Sequence, residues 1–134
     1  MRLEEFSNIS EGKHKKYSLE DFLKAPVNRL HIWYKNLESY YRKGPKYIDG
    51  IKYDKVLTRA STSIQGVRGF GQGNYRELDA LTTNLAREYG YDGVYIENVL
   101  NPWLAEKLPQ YGYVEVDKHL RDQGNPPCFF KKLK

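Results

Sequence analysis

The chain has 134 residues, of which 40% are hydrophobic and 29% charged, and its formal net charge is +5. This length suits one domain. No apolar run approaches the ~20 residues of a membrane-spanning helix. The single cysteine, Cys128, excludes an internal disulfide or a Cys-based zinc site. The positive charge suits a polyanionic partner such as nucleic acid, a ribosome or a polyphosphate cofactor, or else a solvated basic surface.

The N-terminal segment is polar. Residues 1–16 end in Lys13-His-Lys-Lys16, which predicts a flexible basic arm ahead of a single domain that covers residues 17–134. The first residues lack the apolar core of a signal peptide, so we expect a cytoplasmic protein. Ser18 has the capping-box spacing to Asp21, which predicts a short helix that ends at Pro26.

The next segment is rich in strand signals. Leu30–Tyr34 favours a buried strand, although a helix that continues into Tyr41 fits the periodicity as well. The pair Asp49-Gly50, flanked by isoleucines, is a strong hairpin signal. The β-branched residues from Val56 to Ile64 predict a central strand.

The second half alternates helices and strands. An apolar stripe at helical spacing predicts a helix from Tyr75 to Tyr89, and Gly90 is its natural end. Gly93–Leu100 predicts a strand parallel to the one that begins at Val56, joined to it by a right-handed crossover. The next predicted element is a helix that is capped by Asn101, begins at Pro102 and is bent or ended by Pro109. Two closing strands follow, Tyr113–Val116 and Cys128–Phe130.

The most distinctive stretch is Arg68-Gly-Phe-Gly-Gln-Gly73, between the predicted central strand and the helix. Glycines let a backbone approach a ligand, and the N–H groups of the next helical turn favour a phosphate there. Gln72 and Asn74 are candidate caps of that helix. The spacing is neither the G-x-G-x-x-G of a dinucleotide site nor a Walker loop. The alternative is a tight turn that binds nothing.

This stretch matches the pattern R-x-x-G-x-G, and with it the chain resembles the GNAT-type N-acyltransferase superfamily. In that family the loop binds the pyrophosphate of acyl-coenzyme A. The segments that follow also fit, because a strand leads into Glu-Asn-Val-Leu-Asn101, then a short helix and the pair Gly112-Tyr113. The resemblance covers residues 56–134 well and residues 1–55 by element order alone.

The resemblance implies an α/β (α+β) fold: a single GNAT-like domain with a mixed, mostly antiparallel, twisted sheet, a splayed parallel strand pair and flanking helices. It implies acetyl-CoA as co-substrate, with the pantetheine arm bound like an added strand, and an acceptor groove within residues 17–55. The cofactor-binding residues that it implies are Thr62, Ser63, Ile64, Arg68, Gly69, Phe70, Gly71, Gln72, Gly73, Asn74 and Asn101.

Acyl transfer to an amine needs a base for the amine, a donor for the oxyanion and a proton for the leaving thiolate. Glu97 is the candidate base, or else a strand carboxylate in an ion pair with a lysine. Many family members use a tyrosine as the acid, and Leu108 stands at that position here. Tyr111 is the candidate replacement; protonation by solvent, or no catalysis, are the alternatives. Asn101 is either a ligand of the pantetheine arm or only a helix cap.

Two classes of function therefore remain open. The first is a small acetyltransferase for an unknown amine, which looks like members carried by phages and bacteria. The second is a degenerate fold that binds nucleic acid or protein through Lys13–Lys16, Tyr40–Lys46 and Lys131–Lys134. A combination, in which a nucleic-acid base or a ribosomal protein is acylated, is the third option. The histidines are too scattered to predict a metal site, and Cys128 is expected in the core.

Overall fold

A computed structural model describes residues 17–35, 37–61 and 73–134, which form a mixed α+β fold with one six-stranded sheet and flanking helices. None of the helices in these ranges is long and apolar enough to cross a membrane. The elements are α1 Leu19–Lys24, β1 Arg29–Tyr34, β2 Leu37–Ile48, β3 Ile51–Ser61, α2 Asn74–Glu88, β4 Gly93–Ile96, α3 Pro102–Lys107, a 3-10 turn Leu108–Tyr111, β5 Val114–Val116, α4 Lys118–Asp122 and β6 Cys128–Lys132.

The strand order is β1-β2-β3-β4-β6-β5. Val56–Arg59 of β3 pairs in parallel with Gly93–Ile96 of β4, and every other pair in this sheet is antiparallel. A parallel pair needs a long crossover, and α2 lies on that connection. The prediction of a mixed, mostly antiparallel sheet with one parallel pair is confirmed.

Local signals set several boundaries as predicted. The Ser18 hydroxyl accepts a hydrogen bond from the Asp21 N–H at 3.1 Å and caps α1, which ends before Pro26. Asp49 and Gly50 both have positive φ angles, 50° and 80°, and form the two-residue turn between β2 and β3. Such a turn matches the twist of the strands that it joins, so it fixes their register.

One face of the sheet is covered by α1, α2 and α3, and we call it the covered face. Apolar side chains from β1 to β4 point to it and contact the apolar sides of these helices. Its core includes Leu30, Ile32, Tyr41, Leu57, Val94 and Ile96 from the sheet and Phe22, Leu78, Leu104 and Leu108 from the helical segments. The opposite face has a smaller buried cluster near β4, β6 and α4, and we call its β1–β3 part the open face.

The tip of the β2–β3 hairpin is bound to the start of α4. The Asp49 N–H donates to the Asp117 carboxylate at 3.0 Å, and the Asp117 N–H donates to the Asp49 carboxylate at 2.7 Å. The buried Tyr95 hydroxyl also donates to Asp117, at 2.8 Å. Both aspartates have left-handed backbones. Their reciprocal hydrogen bonds connect the two turns, and we call this contact the joint between the hairpin and α4.

Three elements differ from the sequence predictions. The strand that begins at Val56 is continuous with the second strand of the hairpin. β4 ends at Ile96 rather than at Leu100. The short helix α4 has no counterpart among the predicted elements, since its few residues carry no clear periodicity.

Candidate functional site

The parallel strands part at one end of their pairing. The Glu97 N–H donates to the Arg59 carbonyl at 3.2 Å, which is the last contact of that ladder. β3 stays paired with β2 as far as Ser61, whereas the Val99 N–H donates to the Pro127 carbonyl at 2.9 Å, on the β6 side. Among the described residues no backbone hydrogen bond joins β3 to the chain beyond Glu97. We call this opening the strand gap.

Helix α2 begins close to the glycine-rich segment. Gly73 is its N-cap, with φ 77°, and no side chain from the described part of the chain caps this end. Asn74 is buried as the first helical residue, so its predicted role as a cap is wrong. The other predicted cofactor residues of this segment lie outside the described residues: Thr62, Ser63, Ile64, Arg68, Gly69, Phe70, Gly71 and Gln72.

Glu97 lies just beyond β4, at the strand gap, and its carboxylate is bound by Arg42. Its two carboxylate oxygens accept hydrogen bonds from the Arg42 guanidinium at 3.0 and 2.8 Å. These bonds raise the pKa of Arg42 above its ordinary value, against the opposing effect of burial. The ion-pair partner of Glu97 is therefore an arginine rather than the lysine of the alternative prediction. The role of Glu97 as a base stays a prediction, but a base needs a free oxygen and both are occupied.

Tyr111 is placed near the start of α2. Its ring stacks on that of Tyr75, in the first turn of α2, with 6.2 Å between the centroids. Leu108, at the position where the family carries a tyrosine, is fully buried in the core. The Asn101 side-chain oxygen accepts from the N–H groups of Trp103 and Leu104 at 2.8 and 3.4 Å, so it caps α3. This local role is enough to account for Asn101.

The open face carries a groove of about 480 Å³. Three of its residues, His31, Tyr40 and Ala60, lie side by side on β1, β2 and β3. Such a volume is typical of a small-molecule site. The groove is lined by Arg29, Leu30, His31, Tyr40, Tyr41, Arg42 and Ala60, of which Leu30 and Tyr41 have their side chains buried in the core of the covered face.

His31, which lines this groove, forms a close polar contact with Glu38. Its Nε2 atom lies 2.6 Å from a carboxylate oxygen of Glu38, and its ring stacks on Tyr40 at 4.2 Å with an interplanar angle of 5°. The Tyr40 hydroxyl donates to the same Glu38 oxygen at 3.1 Å. Burial and this hydrogen bond raise the pKa of Tyr40, so the phenol stays protonated at neutral pH. We call these three residues the His31 cluster.

Beneath the sheet, on the covered face, lies a buried cation. Arg59 is 1% exposed, donates twice to the Ser39 hydroxyl at 3.3 and 3.1 Å, and stacks over the Tyr75 ring at 4.5 Å. Its Nη1 atom has no hydrogen-bond partner among the described residues. The nearby Asp79 is occupied by Lys131 at 2.9 Å and by the Tyr113 hydroxyl at 2.7 Å. Arg59 therefore holds β3 against the first turn of α2 rather than binding solvent.

The basic segments are only partly available to a partner. The Lys43 ammonium donates to the Phe22 and Ala25 carbonyls, and Lys131 is bound within the core to Asp79 and Thr83. Lys13–Lys16 lie outside the described residues. Cys128 is buried, as expected. In the ranges described here, no cluster of His, Cys, Asp and Glu side chains is arranged to hold a metal ion.

Sequence reasoning assigned no catalytic role to His31, Glu38 or Arg42. Their proximity depends on the register of β1 against β2, which places His31 opposite Tyr40. The sequence did carry a signal for the pairing of β1 with β2, because only two residues separate Tyr34 from Leu37 and strands so closely linked pair as a hairpin. The segment 30–41 fits a helix as well as a strand, so no register followed from its periodicity.

Comparison of the chain with protein-family models, with curated proteins and with solved structures found no match.

Proposed function

We propose that the protein is an N-acyltransferase that uses an acyl-coenzyme A, most simply acetyl-CoA, to acylate an amine. The observation that carries the proposal is the strand gap, in which β3 and the chain after β4 separate next to the start of α2. The carboxyl ends of parallel strands are a usual place for a ligand in an α/β sheet. The resemblance of the glycine-rich segment to the acyl-coenzyme A loop supports the same location.

The cofactor would contact main-chain groups above all. The arm of a coenzyme A can pair, in the manner of an added strand, with the edge of β3 beyond Arg59, which has no β4 partner among the described residues. No side chain of the described residues caps the first N–H groups of α2, and such groups favour a phosphate. The contributions of residues 62–72 stay predictions.

Bound acetyl-CoA supplies the activated acyl carbon. The amine nitrogen attacks this carbon and loses a proton, the C–S bond breaks, and the thiolate takes a proton from an acid or from solvent. Tyr111 is the candidate acid that the sequence suggests, and its ring lies against Tyr75 in the first turn of α2. Leu108 is buried and apolar, so it supplies no proton.

Acetyl-CoA should raise the thermal midpoint of the full chain, because a ligand of the native state stabilises it by mass action. At 100 times the Kd the expected gain is about 2.7 kcal/mol. Differential scanning fluorimetry with increasing acetyl-CoA measures this shift, and ATP is the control for a general polyphosphate effect. No shift with millimolar acetyl-CoA, or an equal shift with ATP, would overturn the proposal.

Catalysis is tested separately, by the release of coenzyme A thiol with a panel of amines. The panel comprises tyramine, spermidine and a peptide with one lysine. A thermal shift without acylation of any of them would favour the alternative of a degenerate fold that only binds. If Glu97 is the base, Glu97→Gln keeps the thermal shift and loses turnover, whereas the exposed Glu88→Gln changes neither. Normal turnover of Glu97→Gln would remove it as the base.

A further inference from the structure

The groove on the open face contains a base whose orientation is fixed. The imidazole of His31 is held on two sides, by the hydrogen bond from Nε2 to Glu38 and by the parallel ring of Tyr40. Two such contacts leave the ring little freedom to turn. The side chains of His31 and Glu38 are 25% and 13% exposed, so the pair is partly shielded but still reachable from solvent.

The hydrogen bond also selects the proton position. A carboxylate accepts hydrogen bonds, so Nε2 carries the proton, and Nδ1 of the neutral ring holds the lone pair. A carboxylate that orients a histidine in this way also stabilises the imidazolium that forms when the ring takes a proton. The arrangement is that of a general base with its orienting partner.

The other carboxylate near the groove is differently engaged. Both oxygens of Glu97 are bound by Arg42, as described above. Arg42 lines the groove together with His31. The two carboxylates therefore have different partners, because Arg42 binds Glu97 whereas Glu38 is bound to the imidazole.

We infer that the groove holds the acceptor amine and that Nδ1 of His31 takes the proton from its nitrogen, with Glu38 as the positioning residue. This inference rests on the proposed acyl transfer. Ala60 supports the location, because it lies in register with Tyr40 and belongs to the part of β3 that extends past the parallel pairing. The groove thus reaches from His31 on β1 to the strand along which the acyl donor is proposed to bind.

The step balances without a further reactant. The amine nitrogen forms a bond to the acyl carbon and gives one proton to Nδ1 of His31. The C–S bond breaks, and its electron pair leaves on sulfur as the thiolate. The thiolate takes up one proton and the imidazolium releases one, so the products are an amide and free coenzyme A.

This role predicts a definite pH dependence. A general base accepts a proton only in its unprotonated form, so the rate should rise with pH. The titratable and charged groups around the His31 ring are Glu38, Tyr40, Arg29, Arg42 and, through Arg42, Glu97.

The test uses the full chain and the panel amine that the wild type acylates fastest. His31→Gln should lower kcat by about 10²-fold or more, remove the rise of the rate with pH, and leave the KM for acetyl-CoA unchanged. Glu38→Gln should keep the ring in place, lower kcat and change the pH profile of the rate, because the carboxylate charge beside the ring is lost. His119→Gln, an exposed histidine on α4, is the matched control and should behave as the wild type.

Hydroxylamine supplies the second measurement, because it is a neutral nucleophile near pH 7 and needs less help from a base. It should restore much of the acyl transfer that His31→Gln loses with the amine. A His31→Gln variant that is folded, binds acetyl-CoA and retains the wild-type pH profile would overturn the inference and leave the proposed function standing. A wild type that binds no acetyl-CoA, or acylates no amine, would overturn both.

Discussion

Arg59 shows how one buried side chain is kept without a carboxylate partner. Its guanidinium has two bonds to a single hydroxyl and one unpaired nitrogen, and within the described residues no ion pair forms with it. Burial acts against its charge, and the electrostatic effects of Tyr75, Tyr41 and Asp79 outweigh burial and raise its pKa. Arg59 therefore remains a cation, and its neighbours determine the free-energy cost of burying that charge.

Ser39→Ala should destabilise the protein by about 1–3 kcal/mol, because it leaves more guanidinium N–H groups buried without partners. Arg59→Met should lie within about 1 kcal/mol of the wild type, because the charge and its unpaired nitrogen leave together. Urea unfolding of both variants measures the two free energies. If Arg59→Met costs more than Ser39→Ala, the stacking on Tyr75, and not the hydroxyl, retains the arginine.

The joint between the β2–β3 hairpin and α4 is the clearest contact between elements. Asp49→Ala should cost about 1–2 kcal/mol, because the Asp117 N–H loses its acceptor. Asp49→Asn is the matched control, since asparagine keeps a side-chain oxygen and tolerates the left-handed backbone. Chemical denaturation compares the two variants. Equal stability of Asp49→Ala and Asp49→Asn would mean that the bond contributes nothing.

The long helix α2 was easier to predict than the strand β4. The helix predicted over 75–89 spans Asn74–Glu88, because its apolar stripe and its glycine end both lie within its own residues. β4 was predicted too long, since the residues from Asn98 to Leu100 are apolar enough for a strand but Asn98 takes a left-handed backbone. That departure opens the strand gap, and no local pattern marks it.

For the molecule as a whole, tyrosine burial predicts alkaline unfolding. Burial raises the pKa of Tyr91 to about 12, and burial also raises those of Tyr75 and Tyr113 from the ordinary value of 10.0. The folded chain thus keeps protons that the unfolded chain loses. Stability should be unaffected below about pH 10 and should fall as the pH rises towards 12.

The free energy of unfolding between these pH values, with tyrosinate absorbance recorded in parallel, checks this prediction. Tyr91→Phe should flatten the fall, because one of the retained protons is gone. Tyr47 is exposed, so Tyr47→Phe is the control that leaves the slope unchanged. A stability that stays level up to pH 12, or tyrosines that all ionise before unfolding, would contradict the prediction.

Signals confined to a few neighbouring residues sufficed for the first helix, the hairpin turn and α2, whereas the order of the elements predicted the parallel strand pair and the family resemblance implied the α+β class. They suffice because caps, turns and apolar stripes act within about one or two helical turns or one strand. The contacts of the candidate site join residues far apart in the chain, such as Arg42 and Glu97, which are 55 positions apart. Whether such side chains meet depends on strand register, because a shift of one residue moves each side chain to the opposite face. Tertiary packing therefore decided that Glu97 has an arginine partner, that Lys43 and Lys131 are internal, and that His31 lies against Glu38.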